Sequence, residues 1–128
     1  GVKAIEIYEK RDIIGHVRSL TPVFARRMAA LADHPLIGET RECGLMGAAE
    51  LVADKSTKRS FDPKKGVGSQ VSRFCEANGA ILRAIGDSIA FCPPMIITEA
   101  ELNELFDRFE KALDEGEAWV TKENLRAA

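Results

Sequence analysis

The stretch that most constrains the fold runs over residues 80–94, Ala-Ile-Leu-Arg-Ala-Ile-Gly-Asp-Ser-Ile-Ala-Phe-Cys-Pro-Pro. Gly86-Asp87 between two apolar runs is a two-residue hairpin signal, so strands are predicted over residues 80–85 and 88–92. Pro93 and Pro94 lack the amide hydrogen that a ladder needs and end the pair. One arginine, Arg83, sits in the middle of the first strand, on the face of Ile81 and Ile85. A guanidinium buried without compensation is too costly for idle packing, so Arg83 asks for an anionic partner. Two readings stay open. Arg83 either lays its stem on apolar surface and reaches water, or offers its planar fork to a carboxylate.

The segments around the hairpin decide what it packs against. The opening segment, residues 2–10, is helical in composition, and Asp12 can cap a second helix. The apolar stripe of that helix is Ile13, Val17, Leu20, Phe24, Met28 and Leu31, spaced as one helical face. Pro22 falls inside it, so a kink is expected, or a restart with Thr21 as cap. Residues 36–52 read as one strand with small or apolar residues on both faces, notably Gly44 to Ala49. Residues 53–66 form a charged loop, followed by a short helix bearing Val67, Val71, Phe74 and Cys75 that Asn78-Gly79 stops. Thr98 with Glu101 is a capping box, opening a helix that buries Leu102, Leu105, Phe106, Phe109 and Leu113. The polar tail beyond Gly116, including Trp119, has weak periodicity and is left unplaced. The order is helix, helix, strand, helix, strand, strand, helix. It predicts an α+β domain whose small, mainly antiparallel sheet of three or four strands packs against helices.

With 128 residues, 45% of them hydrophobic, the chain suits a single domain with a real core. Its net charge of −2 is spread along the length, which favours neither nucleic acid nor an anionic membrane. No apolar run approaches bilayer length. Cys43, Cys75 and Cys92 are odd in number, widely spaced and in apolar company. They read as reduced core residues of a cytoplasmic protein, with neither a disulfide frame nor a zinc site. The chain opens from Gly1 directly into helical sequence without a cap, as expected of a piece of a longer protein.

Other candidates read as structural. Asp87 is a turn residue. His16 and His34 lack a carboxylate or cysteine at metal-ligand spacing, and Glu39, Glu42 and Glu50 have no positional support as an acid–base pair. Gly66-Val67-Gly68 lacks the third glycine and the preceding strand of a phosphate cradle.

Three runs together carry a family resemblance: the stretch around Arg83, Gly44-Leu45-Met46-Gly47 before it, and Ile96-Ile97-Thr98-Glu99-Ala100-Glu101 after it. Over nearly its whole length the chain resembles the C-terminal small domain of class III, pyridoxal-phosphate-dependent aminotransferases of the omega-amino-acid type. The resemblance implies a lead-in over residues 1–32, an α+β core over 36–115 and a tail over 116–128. It implies a parent enzyme that moves an amino group from an amine or ω-amino acid to a keto acid such as pyruvate. Its further implications are a large domain of the same enzyme as partner and a homodimer. Arg83 falls where the family carries a mobile arginine for the substrate carboxylate. The family's Schiff-base lysine and pyridine-nitrogen aspartate lie upstream of the matched stretch. Lys3, Lys10, Lys55, Lys58, Lys64, Lys65, Lys111 and Lys122 all sit in polar settings, and none is desolvated enough to act as that base. Pyridoxal phosphate is therefore expected on the parent and not on this chain alone. The alternative is a stand-alone, non-catalytic α+β binding or interaction domain.

Overall fold

A computed structural model describes residues 1–127 of the chain. Helix α1 (Val2–Lys10) is followed by a tight corner at Arg11-Asp12 and then by α2 (Ile13–Leu31). Asp12 adopts the left-handed conformation (φ 46°), and its carboxylate accepts the Gly15 amide at 3.2 Å. A Cβ at position 15 would lie 2.1 Å from the Asp12 carboxylate, so in this geometry the carboxylate sits in space that Gly15 leaves open. Pro22 does not interrupt α2. Thr21, expected as a possible new cap, donates instead to the Val17 carbonyl at 3.0 Å. The helix buries Ile13, Leu20, Val23, Phe24, Met28 and Leu31, with Val17 half-buried beside them.

The predicted single strand over residues 36–52 is a hairpin. Strand β1 (Ile37–Cys43) turns through Gly44 (φ 62°) and Leu45 into β2 (Met46–Leu51), with Cys43 paired to Met46. The turn escapes a sequence reading because Leu45 is buried and its neighbours are apolar, so no polar punctuation marks it. The predicted second hairpin is present but shorter: β3 (Arg83–Ile85) and β4 (Ser88–Phe91). Residues 80–82 precede the ladder and are not strand. The four strands form one antiparallel sheet in the order β1-β2-β4-β3, which leaves β3 at an edge.

Register divides the sheet into two unlike faces. Ala49 pairs with Ile89, which pairs with Ala84, and this row faces the helices with Leu51 and Phe91. Arg41, Ala48, Ala90 and Arg83 form the adjacent row and point the other way. On that outer face Met46 and Ile85 remain exposed.

Helix α3 (Val67–Ala77) ends as the sequence predicts, with Gly79 left-handed (φ 81°). The Ala80 amide reaches back to the Cys75 carbonyl at 2.8 Å and the Gly79 amide to Glu76 at 2.9 Å, a Schellman closure. Helix α4 (Glu99–Lys122) opens with both halves of the Thr98–Glu101 capping box in place. It does not stop at Gly116. Gly116 and Val120 are buried and Trp119 packs on the core, so the segment left unplaced by its weak periodicity continues the helix. A glycine is needed there because a Cβ would meet Val71 at 2.9 Å.

The elements meet at four phenylalanines. Phe91 of β4 stacks on Phe106 of α4 (5.2 Å between centroids) and meets Phe109 edge-on at 5.0 Å. Phe24 of α2 closes the group edge-on against Phe106 at 5.5 Å. The Arg27 guanidinium lies over the Phe106 ring at 5.3 Å while pairing with Asp107 and Glu110. Truncating the fully buried Phe106 to alanine is expected to destabilise the fold by about 3–5 kcal/mol. Ile81→Ala, in the exposed segment before β3, should cost under about 0.5 kcal/mol. Chemical denaturation of the two variants checks the contrast.

Candidate functional site

The edge strand β3 borders a groove of about 1150 Å³. Its walls come from one side of α3, residues 79–84, the Pro93–Ile97 segment and the first turns of α4. Leu82 anchors one wall in the core, while Ile81 beside it is 87% exposed.

Arg83 stands at the start of β3, paired with Ala90, and lines this groove. The structure corrects the expectation of a guanidinium buried within a strand: Arg83 is exposed. The reason is register, which places Arg83 in the outer row, away from the helices. Among the described residues no hydrogen bond or ion pair engages its side chain. The other groove arginines are committed. Arg73 donates to the Gln70 side chain at 2.9 Å, and Arg108 donates to the Gly79 carbonyl at 2.7 Å and pairs with Glu104. Arg83 thus presents five free donors in a planar fork at the rim of a groove, an arrangement suited to a carboxylate or another planar anion.

The backbone that carries Arg83 is held by α3. Ser72 Oγ donates to the Leu82 carbonyl at 2.8 Å. Asp87 forms the turn, as its residue type predicts, with Gly86 at φ 60°. It also does what the sequence did not indicate: its Oδ1 accepts the Gly68 amide at 2.9 Å, so it caps α3 from another element. The N-cap of α3 itself, Gly66, has no side chain to offer. Burial pushes the Asp87 pKa above the ordinary carboxylate value, and the Gly68 hydrogen bond opposes this.

The remaining candidates have structural partners. His16 Nε2 donates to the Ile97 carbonyl at 2.8 Å. Glu39 pairs with Lys58 and Arg41 with Glu50 across the outer face of the sheet. The thiols differ from expectation: Cys75 is buried, its pKa pushed up to about 12 by burial, but Cys43 and Cys92 are exposed at strand ends. Among the described residues no cluster could hold a metal ion, and no helix is long and apolar enough to cross a membrane. The charged loop is tethered by carbonyls. Lys55 donates to Ala32 and His34 at the C-terminal end of α2, and Lys65 to Leu125 and Ala127. Lys65 alone among the lysines is half-buried, and no lysine lines the groove.

Residues 1–113 match the sequence model of a family described as aminotransferase class-III. Among characterised proteins, gamma aminobutyrate transaminase 1, mitochondrial, of Solanum lycopersicum is 39% identical over 119 residues, covering 93% of this chain and 23% of that protein. The putrescine–pyruvate aminotransferase of Pseudomonas aeruginosa is 40% identical over 117 residues, covering 91% and 25%. A PLP-bound aminotransferase mutant from Vibrio fluvialis is similar in structure, with a TM-score of 0.89 at 40% identity, over 93% of this chain and 26% of that one. The chain spans about a quarter of the length of the relatives it matches.

His34 generates a pH prediction. Its Nδ1 accepts the Leu36 amide at 3.2 Å, which only the neutral ring can do, and Nε2 lies 3.5 Å from Asp114. Burial pushes its pKa below the ordinary 6.5, against the pull of Asp114. The unfolded chain binds a proton that the folded chain resists, so this contribution to stability is whole above about pH 6.5 and is lost as pH falls toward the folded-state pKa. The ring should titrate below 6.5 by NMR. The thermal midpoint should fall between about pH 7 and pH 5, less steeply in His34→Gln.

Proposed function

Because the chain belongs to the class-III aminotransferases, we propose that it is the C-terminal small domain of a longer omega-type aminotransferase and supplies that enzyme's carboxylate-binding arginine, Arg83. The parent moves an amino group from an amine or ω-amino acid to a keto acid such as pyruvate. The observation that carries the reading is the Arg83 fork, uncommitted at the rim of the groove while Arg73 and Arg108 are engaged. An exposed rim position suits an arginine that must hold an anionic acceptor in one half-reaction and tolerate an uncharged amine tail in the other. The outer sheet face around Met46 and Ile85 and the apolar residues of α1, Val2 and Ile5, form the surface that the large domain and the dimer cover.

Pyridoxal phosphate, the cofactor of this family, supplies the electron sink for amino-group transfer when bound. The residues of this chain do not fit it as a resident group. No lysine lines the groove, and Lys65, the half-buried one, donates to two carbonyls. Among the described residues no buried side-chain polar atom lacks a partner that a cofactor would satisfy. The contribution of this chain is binding and orientation. The chain alone should not transfer amino groups. Incubated with pyridoxal phosphate and borohydride, it should show no single lysine labelled above the others by peptide mapping. One preferentially trapped lysine at sub-micromolar coenzyme would contradict this part of the reading.

In the parent, Arg83→Ala should weaken the half-reaction with pyruvate-like acids and spare that with amines lacking a carboxylate. Loss of a charge-assisted, bidentate contact is worth about 1.5–3 kcal/mol, on the order of 10- to 150-fold in specificity for the acid. Arg83→Lys should recover only part, because an ammonium does not reproduce the fork. Stopped-flow measurement of each half-reaction decides, and equal impairment of both would make Arg83 scaffolding.

A further inference from the structure

We propose that Ser72 and Asp87 are positioning residues that fix the place from which Arg83 reaches its carboxylate, by fastening both ends of its strand to α3. The proposal rests on the reading of Arg83 as the carboxylate clamp. Strand β3 is three residues long and pairs on one side only, with β4. So short and one-sided a ladder leaves a strand end loosely defined. Helix α3 supplies the definition. Ser72 Oγ holds the carbonyl of Leu82, the residue before Arg83, at 2.8 Å. Asp87 Oδ1, just beyond the end of β3, holds the Gly68 amide at 2.9 Å. Positions 68 and 72 are one helical turn apart and share a face of α3, so the two bonds grip the hairpin from one rigid element.

Space removes the remaining slack. A Cβ on residue 68 would lie 2.0 Å from the Gly86 carbonyl oxygen and 3.0 Å from the Asp87 Cα, so the turn sits directly on the helix. The Asp87 carbonyl also accepts the Leu51 amide at 2.8 Å, tying the same turn to the end of β2. Arg83 has no side-chain partner of its own among the described residues, so its reach is measured from the Cα that this backbone holds. A displacement of that Cα by about 1 Å is enough to spoil a bidentate contact at the end of the side chain.

The test uses the full-length, cofactor-loaded enzyme that carries this chain. The half-reactions with a keto acid and with an amine lacking a carboxylate are measured separately, with the thermal midpoint, for Arg83→Ala, Ser72→Ala, Asp87→Ala, Asp87→Asn and Gly68→Ala. Ser72→Ala, Asp87→Ala and Gly68→Ala should slow the acid half-reaction about 3- to 10-fold and the amine half-reaction by less than about twofold. Asp87→Asn keeps the acceptor oxygen and should recover most of the loss. In an Arg83→Ala background, Asp87→Ala should add nothing further to the acid defect. Equal slowing of both half-reactions, a lowered thermal midpoint without acid selectivity, or an undiminished Asp87→Ala effect without Arg83 would overturn the proposal. If Arg83→Ala is acid-selective and the other variants are not, positioning fails and the clamp stands. If Arg83→Ala itself is not acid-selective, both fall. Should Asp87→Ala not fold, Ser72→Ala set against Asp87→Asn carries the same comparison.

Discussion

Everything else in the structure is arranged around the contact of Phe91 with Phe106. It joins β4, one of the two strands flanked on both sides, to the longest helix, α4. Phe24 and Phe109 extend the contact to α2 and to the next turn of α4, so one aromatic group fixes two helices against the inner sheet face. With that face committed, the pleat dictates the rest. Phe91 and Ile89 point inward, therefore Ala90 points outward, and its ladder partner Arg83 must do the same. The exposure of the candidate site residue follows from the packing of the ring next to its ladder partner in the hairpin.

The second arrangement, α3 against the β3–β4 turn, acts on position where the aromatic group acts on orientation. Helix α3 packs on α4 through Val71 and Gly116, and it meets the hairpin through the buried Gly68 and the half-buried Ser72. The arginine-bearing strand is in this way referred to the core through a helix and not through its own short ladder. The local geometry shows how the backbone of an arginine without a side-chain partner has a defined place.

What the sequence makes legible is what short-range hydrogen bonding writes into it. The Gly86-Asp87 turn, the Thr98–Glu101 capping box and the Gly79 helix stop each need particular residue types at adjacent positions, and each is found where those residues predict. The Gly44-Leu45 turn lacks that signature, because a buried leucine occupies a position where turns usually show polarity. The extent of α4 was hidden by Gly116, which reads as a stop but is the close-approach point for Val71. Counted as a core position, it continues the spacing of Phe109, Leu113 and Val120. The exposure of Arg83 depends on which sheet face the helices choose, and the Ser72–Leu82 bond joins residues with no local motif between them. Neither is encoded at short range. Cys92 follows the buried Phe91 and Cys43 precedes the Gly44-Leu45 turn, yet both stand exposed at strand ends.

The carbonyl tethers of the loop before α3 have a consequence for its behaviour in salt. Lys55 and Lys65 end on main-chain oxygens, as does Arg59, which donates to the Arg126 carbonyl at 3.0 Å. Dissolved ions screen the attraction between two full charges far more than a short contact between a charge and a neutral dipole. Lys58, whose partner is the carboxylate of Glu39, is the exception. As ionic strength rises, that one exposed pair loosens first. The rest of the loop ends on neutral carbonyls, so its course depends less on ionic strength than its composition suggests.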